Sequence, residues 1–159
     1  MELFALRHGI PVDLDAWGGG DAARPLTEAG ESQVELFLSA LHARGDLEVD
    51  RILSSPLARA QQTAQIAGRV LGAPVETMSE LASGASPDRI LAALERRQEV
   101  PARLLLVGHN PDLPMLVAML AGGSSFSYIL DRCGLARLEG ELAVGGMRVA
   151  WLRRPGELG

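Results

Sequence analysis

The chain has 159 residues, 47% hydrophobic and 22% charged, which is ordinary for a single water-soluble globular domain. Its formal net charge of −5 argues against general nucleic-acid binding, which needs a concentrated basic face, and no apolar run approaches the roughly 18 residues that a membrane span requires. The single cysteine, Cys133, excludes an internal disulfide and fits a reducing compartment, so we expect a cytoplasmic location. Length, charge and hydropathy together predict one domain over residues 1–159, with no nucleic-acid or membrane partner.

A strand is predicted at the start of the chain, where the apolar run Leu3 to Leu6 leads into Arg7-His8-Gly9. A short apolar run of this kind is typical of a buried strand that delivers its last side chains into a cleft. A histidine beside an arginine at such an edge combines a nitrogen nucleophile with a fixed positive charge, and a glycine lets a substrate approach the backbone closely. The pairing suits a phosphoryl group, although a strand-end histidine alone is more often structural.

Strands and helices alternate along the rest of the chain. The predicted elements are, in order, a loop over residues 10–26, a helix capped by Thr27 and ending near Gly45, a strand at Arg51–Ser54, a helix that opens at Ser55-Pro56 and stops at Gly72, a strand at Val75–Met78, a helix at Pro87–Gln98, a strand at Arg103–Val107, a helix from Asn110-Pro111 through Leu120, and edge strands at Gly134–Leu138 and Met147–Leu152. Loops as long as residues 10–26 often carry functional residues.

This alternation predicts an α/β fold, a three-layer αβα sandwich with a mostly parallel central sheet. Three polar segments fall at or just beyond the carboxyl ends of predicted strands: His8, Ser54-Ser55 and His109. Open α/β sheets bind ligands at that edge. We therefore expect the three segments to converge on one site, with Arg59 nearby in the first turns of the following helix, where backbone N–H groups favour an anion.

Three segments closely resemble the motifs of the histidine phosphatase superfamily, in the same order along the chain. They are Leu6-Arg7-His8-Gly9, the run from Ser54 to Ala64, and Val107-Gly108-His109-Asn110-Pro111. The length and the stretch from Arg24 to Gly30 are most similar to the small bacterial protein-histidine phosphatases of the SixA type. The resemblance covers roughly residues 1–120 and implies a phosphoglycerate mutase-like fold.

The resemblance also implies roles for individual residues. His8 would be the nucleophile that takes the phosphoryl group, and Arg7, Arg59 and His109 would bind its oxygens. Two guanidinium forks and an imidazole suit phosphoryl transfer, which depends on holding three oxygens in place. The competing interpretation of Arg59 alone is a solvated helical arginine. The remaining histidine, His42, matches no motif and is expected at the surface, so no zinc spacing is present and we expect neither a metal nor a cofactor.

The proton donor is the least determined role. By resemblance it is Glu80, although a solvated loop carboxylate would look the same in the sequence. Acid phosphatases of the superfamily carry an aspartate directly after the second histidine, where this chain has Asn110, which is a poor proton donor at neutral pH. Other candidates are the acids of the first loop, Asp13, Asp15 and Asp21.

The segment after Glu80 bears on the substrate. In the mutases of the superfamily a long helical insertion covers the cleft there, whereas only Leu81–Ala102 precedes the next strand in this chain. We therefore expect a single histidine phosphatase domain without a large helical cap, and an open cleft that admits a protein side chain. The leading hypothesis is a phosphatase acting on phosphohistidine in a phosphotransfer protein. The alternatives are a phosphatase of small esters, such as sugar phosphates or nucleotides, and a catalytically weak module that binds phosphorylated partners.

Overall fold

A six-stranded sheet forms the centre of the computed structural model, which describes residues 1–157. The strands are β1 (Glu2–Arg7), β2 (Arg51–Ser54), β3 (Val75–Thr77), β4 (Arg103–Gly108), β5 (Leu135–Gly140) and β6 (Met147–Arg153), in the spatial order β3-β2-β4-β1-β5-β6. The pairs β1–β4, β2–β3 and β2–β4 are parallel, and β5 is antiparallel to both β1 and β6. The mostly parallel sheet is confirmed. The last two residues of the expected domain, 158–159, lie outside the described residues.

Helices cover both faces of this sheet. They are α1 (Glu28–Ala43), α2 (Ala58–Leu71), α3 (Pro87–Glu95) and α4 (Asp112–Ala121). Phe4 and Leu6 of β1 pack with α1 and α2, whereas Leu3 and Ala5 pack with α3 and α4. Alternate side chains of β1 are thus buried on opposite faces, which explains its continuous apolar run and confirms the three-layer arrangement. Within residues 1–157, no helix has the combined length and apolarity to cross a bilayer.

Several helix boundaries differ from the sequence prediction, and α4 begins at Asp112 instead of Asn110-Pro111. Helix α2 begins at Ala58, because the backbone of Leu57 is extended and its N–H donates to Ser55 Oγ. Helix α3 ends at Glu95, short of the predicted Gln98, where an ion pair between Arg97 and Glu76 holds the chain as it turns back towards the sheet. The start of α2 thus reflects a local contact between residues two positions apart, which competes with helix formation, whereas the ion pair at the end of α3 is a tertiary contact.

The carboxyl ends of β1, β2 and β4 lie side by side, as the alternation predicted. The parallel ladders continue past the strand ends, since His8 N–H donates to Gly108 O at 3.1 Å and Ser55 N–H donates to Val107 O at 2.9 Å. The first loop crosses this edge and contains two short 3-10 turns, Leu14–Ala16 and Asp21–Ala23. The sheet therefore fixes the backbone of three polar segments at one edge, with the loop beside them.

Candidate active site

His8 is held in one tautomer by the backbone that follows it. Its Nδ1 lies 2.7 Å from the carbonyl oxygen of Gly9, and a carbonyl only accepts hydrogen bonds, so Nδ1 carries the proton and Nε2 keeps its lone pair. Burial lowers the pKa of His8 to about 3, with smaller contributions from His109 and from the guanidinium groups of Arg59 and Arg7. The ring is therefore neutral at pH 7, with a free nitrogen nucleophile.

His109 faces His8 across the strand ends, with their ring centroids 5.2 Å apart. Its Nε2 lies 2.8 Å from Ser55 Oγ, which also accepts a hydrogen bond from Leu57 N–H at 3.2 Å. The pKa of His109 is lowered to about 4, mainly by burial and then by the charges of Arg59 and Arg7, while the charge of Asp21 opposes this effect. The second imidazole is thus also neutral at pH 7 and is oriented by a buried serine.

Two arginine side chains at this edge each have a buried, unpaired N–H group. Arg7 donates from Nη1 to the carbonyl oxygen of Leu130 at 3.0 Å, and Arg59 donates from Nη1 to the carbonyl oxygen of Asp21 at 3.0 Å. The Nε atoms of both arginines are buried and have no hydrogen-bond partner among residues 1–157. A buried charged donor without an acceptor is unfavourable, and a tetrahedral oxyanion supplies the acceptors that these groups lack.

Thr63 of α2 links Gly9, just after β1, to the backbone of Arg59. Its Oγ1 accepts from the N–H of Gly9 at 3.0 Å and donates to the carbonyl oxygen of Arg59 at 2.8 Å. A Cβ atom on Gly9 would lie 2.8 Å from Val34 Cγ2 of α1, which is too close. The structure thus gives Gly9 a packing reason that the sequence did not reveal: it allows the segment after β1 to lie tightly against α1 and α2.

The segment that precedes β5 closes the other side of the site. The carbonyl oxygen of Leu130 accepts from Asn110 Nδ2 at 2.7 Å as well as from Arg7. Cys133 N–H donates to the carbonyl oxygen of His8 at 2.9 Å. Asn110 therefore acts as a tie between the end of β4 and this segment, and the thiol of Cys133 is buried with its pKa raised to about 12 by burial.

Glu80 is not drawn into this cluster by any hydrogen bond or ion pair within residues 1–157. It accepts from Ser79 Oγ at 3.2 Å and lies 3.8 Å from Nη2 of the exposed Arg96. Among the acids of the first loop, Asp21 contacts the cluster, with its Oδ2 3.3 Å from Arg59 Nη2. The structure therefore brings together His8, His109 and the two arginines. It adds Asp21, one of the three candidate acids of the first loop, as a contact of Arg59.

Sequence reasoning placed Ser54-Ser55 at the site without a role for Ser55, gave Asp21 only as one of three candidate proton donors in the first loop, and did not single out Thr63. The position of Ser54-Ser55 at a strand end was a signal for Ser55, whereas Thr63 and Asp21 act through contacts distant in sequence. His42 is exposed on α1, as expected, with Nδ1 2.9 Å from the carbonyl oxygen of Leu47. Residues 1–157 contain no group of three or more His, Cys, Asp or Glu side chains that could hold a metal ion.

The motifs on these strand ends are shared with known proteins. A sequence profile of the histidine phosphatase superfamily (branch 1) matches residues 3–84. The chain is 34% identical over 128 residues to the phosphohistidine phosphatase SixA of Escherichia coli K12, covering 79% of this chain and 77% of that protein. This chain belongs to the histidine phosphatase superfamily.

Two further proteins resemble the chain over most of its length. An uncharacterized protein of a Picosynechococcus strain is 40% identical over 141 residues, covering 87% of this chain and 84% of that protein. The solved structure of the protein histidine phosphatase SixA in complex with tungstate superposes with a TM-score of 0.86, at 28% identity and 98% coverage of both chains. The family and the phosphoglycerate mutase-like fold expected from the sequence are confirmed.

Proposed function

We propose that the protein removes the phosphoryl group from phosphohistidine on a phosphotransfer protein, through a covalent phosphohistidine formed on His8. The observation that carries the proposal is the hydrogen bond between His8 Nδ1 and the carbonyl oxygen of Gly9, because it leaves Nε2 unprotonated at neutral pH. Arg7, Arg59 and His109 are the proposed ligands of the phosphoryl oxygens. The 5.2 Å separation of the His8 and His109 rings, and the proximity of both guanidinium groups to His8, support this assignment.

In the first step, the Nε2 lone pair of His8 attacks phosphorus and the P–N bond of the substrate breaks. If the other nitrogen of the substrate imidazole is protonated, the leaving group departs as neutral imidazole and needs no further proton. The guanidinium groups stabilise the charge on the equatorial oxygens in the transition state. Because the buried site fixes these donors in advance, little reorganisation accompanies the transfer.

In the second step, water attacks phosphorus, the bond from phosphorus to His8 Nε2 breaks, and inorganic phosphate leaves. The water proton passes to phosphate or solvent, and Nε2 regains its lone pair. The Nδ1 proton stays on the hydrogen bond to Gly9 throughout, so His8 also departs as a neutral imidazole. The two half-reactions are chemically alike, and the same oxyanion ligands serve both.

His109 contributes through its second ring nitrogen in this proposal. We propose that Ser55 Oγ, which accepts from Leu57 N–H, donates its own hydrogen to His109 Nε2. The neutral ring then carries its proton on Nδ1, where it is available to a phosphoryl oxygen. A neutral donor of this kind adds a hydrogen bond beside the two positive charges.

The contacts of Glu80 favour a phosphohistidine substrate over a phosphate ester. An ester releases an alkoxide, which requires a proton donor, whereas a protonated imidazole does not. Glu80, the proposed donor for esters, contacts Ser79 and Arg96 in this structure. The similarity to a phosphohistidine phosphatase of Escherichia coli supports the same substrate class. The segment between β3 and β4 holds a 3-10 turn at Ser79–Leu81 and the short α3, which favours the expected open cleft in a single domain without a large cap.

Metal-independent chemistry in the cytoplasm is part of the same proposal. The two arginines and His109 provide the charge and the donors that a metal ion supplies in other phosphatases. The expected cytoplasmic location is compatible with the free, buried thiol of Cys133.

Substrate profiling tests the function. The protein would be mixed with a phosphorylated histidine phosphotransfer protein and, separately, with a panel of sugar phosphates, nucleotides and phenyl phosphate. We expect kcat/KM for phosphohistidine to exceed that of every ester by about 100-fold or more. A preference for a sugar phosphate or nucleotide would reassign the substrate, and binding without phosphate release across the panel would indicate a phosphate-binding module. His8→Asn is the inactive control.

A further inference from the structure

Arg59 presents two different edges of its guanidinium group to its surroundings. The end-on edge, formed by Nη1 and Nη2, is occupied by Asp21: Nη1 donates to its carbonyl oxygen at 3.0 Å and Nη2 to its Oδ2 at 3.3 Å. The side-on edge contains Nε, which is buried and donates to no group in the described part of the chain, residues 1–157. Arg59 is only 6% exposed, so this unpaired donor is shielded from bulk water. One edge is thus fixed by the protein, and the other is left for an anion.

Asp21 is itself held in place from the opposite side. Its Oδ1 lies 3.3 Å from Arg24 Nε, and Arg24 Nη1 donates to the carbonyl oxygen of Val12 at 3.0 Å. The loop around Arg24 is tied across its base, where Val12 N–H donates to the carbonyl oxygen of Pro25 at 2.8 Å. The carboxylate therefore bridges two arginines, and a short chain of contacts runs from the base of the first loop to Arg59.

We propose that Asp21 is a positioning residue that clamps the end-on edge of Arg59 so that the side-on edge faces the phosphoryl group. This inference rests on the proposed function, in which Arg59 binds phosphoryl oxygens. A guanidinium binds a tetrahedral oxyanion with two parallel hydrogen bonds only when its plane is correctly oriented. A long arginine side chain gains this orientation at a cost in conformational entropy unless another contact supplies it. Asp21 supplies that contact from a loop 38 positions away in sequence.

Charge alone gives the opposite expectation for Asp21. A carboxylate beside an oxyanion site repels the anion, so a residue that merely competes with phosphate for Arg59 would weaken binding, and its removal would tighten it. A proton donor would instead affect substrates according to their leaving groups. A positioning residue acts on the phosphoryl oxygens, which all substrates share. The three roles therefore predict different signs or different substrate dependence.

The experiment measures tungstate binding by titration calorimetry, together with kcat/KM for phosphohistidine and for phenyl phosphate. The variants are Asp21→Ala, Asp21→Asn and Asp21→Glu, each alone and with Arg59→Ala. Glu141→Gln, which removes an exposed carboxylate in the turn between β5 and β6, is the charge control. Thermal denaturation of each variant establishes that it is folded.

We expect Asp21→Ala and Asp21→Asn to raise the Kd for tungstate about tenfold and to lower kcat/KM by a similar factor for both substrates. Asp21→Glu should recover part of the loss. In the Arg59→Ala background, the further change on removing Asp21 should be less than about twofold, because the effect acts through Arg59. Glu141→Gln should bind tungstate like the unmodified protein.

Unchanged or tighter tungstate binding by Asp21→Ala would overturn the inference, as would an equal loss in the Arg59→Ala background. A loss of activity confined to phenyl phosphate would also overturn it, in favour of proton donation. If the unmodified protein neither binds tungstate nor releases phosphate from any substrate, the proposed function itself fails. If instead the unmodified protein and the Asp21 variants all bind tungstate normally, only the proposed role of Asp21 fails.

Discussion

Ser55 and His109, 54 positions apart in the chain, are joined by a buried contact of 2.8 Å between Oγ and Nε2. Ser55→Ala removes this contact and leaves a ring nitrogen of His109 without its partner. We expect kcat/KM to fall about tenfold, because the imidazole loses the tautomer and orientation that suit a phosphoryl oxygen. Steady-state kinetics measure the effect.

Ser54→Ala is the matched control. Ser54 is equally buried, but its Oγ donates to the carbonyl oxygen of Ser55 at 2.9 Å and has no contact with His109. Its removal should change kcat/KM by less than about twofold after correction for any unfolded fraction. Similar losses from both variants would mean that the serines act only through packing.

The pH dependence should reflect two histidines whose pKa values are lowered by burial, to about 3 for His8 and about 4 for His109. Neither ring gains a proton between pH 8 and about 5, so the nucleophile stays competent over this range. We expect kcat/KM for an acid-stable phosphomonoester to show no fall from histidine protonation until the pH approaches about 4. An apparent pKa of about 6.5 in this profile that the titration of the substrate phosphate does not explain would contradict this.

The same pKa values predict how stability varies with pH. In the unfolded chain both histidines bind protons near the ordinary histidine pKa of 6.5, whereas in the folded protein they bind them only near pH 4 and 3. The unfolded state therefore holds more protons below pH 6.5, and the free energy of unfolding falls as the pH falls towards 4. Urea denaturation at several pH values measures this, and His109→Gln should make the dependence shallower.

Thr63 should contribute to stability rather than to chemistry. Thr63→Val keeps the shape of the side chain but leaves the buried N–H of Gly9 without its acceptor, and the carbonyl oxygen of Arg59 loses its second donor while keeping its backbone helix bond. We expect a loss of about 1–3 kcal/mol in the free energy of unfolding, measured by urea denaturation. Thr63→Ser restores the hydroxyl and should recover most of the loss. Equal stability of the valine and threonine forms would show that neither hydrogen bond matters.

Glu80 is expected to matter for esters and much less for phosphohistidine. Glu80→Gln replaces the carboxyl group with an amide, which cannot act as the proton donor. We therefore expect phenyl phosphate hydrolysis to slow about 100-fold and phosphohistidine hydrolysis to change less than about fivefold. Arg96→Gln is the matched control, because it breaks the same ion pair but keeps the acid. Negligible effects on both substrates would remove Glu80 from the mechanism.

The strand ends and their polar residues were predictable because local patterns determine them. Apolar runs that stop at polar residues placed His8 and His109 on neighbouring strands, and the structure brings them together. The contacts of Ser55 and Asp21 were not predictable, because each depends on which side chain faces which after folding. The first loop offered three acids as candidate proton donors, and in the structure Asp21, in the 3-10 turn Asp21–Ala23, instead forms an ion pair with Arg59. The proton donor stayed open for the same reason.

Trapping the covalent intermediate tests the role of His8 most directly. The protein would be mixed with a phosphotransfer protein carrying labelled phosphohistidine, quenched in alkaline denaturant within milliseconds, and mapped by peptide analysis. We predict label on His8, attached to Nε2, which appears and decays at rates that account for turnover, and no label in His8→Asn. Label on another residue, or full turnover with no labelled protein at any time, would contradict the mechanism.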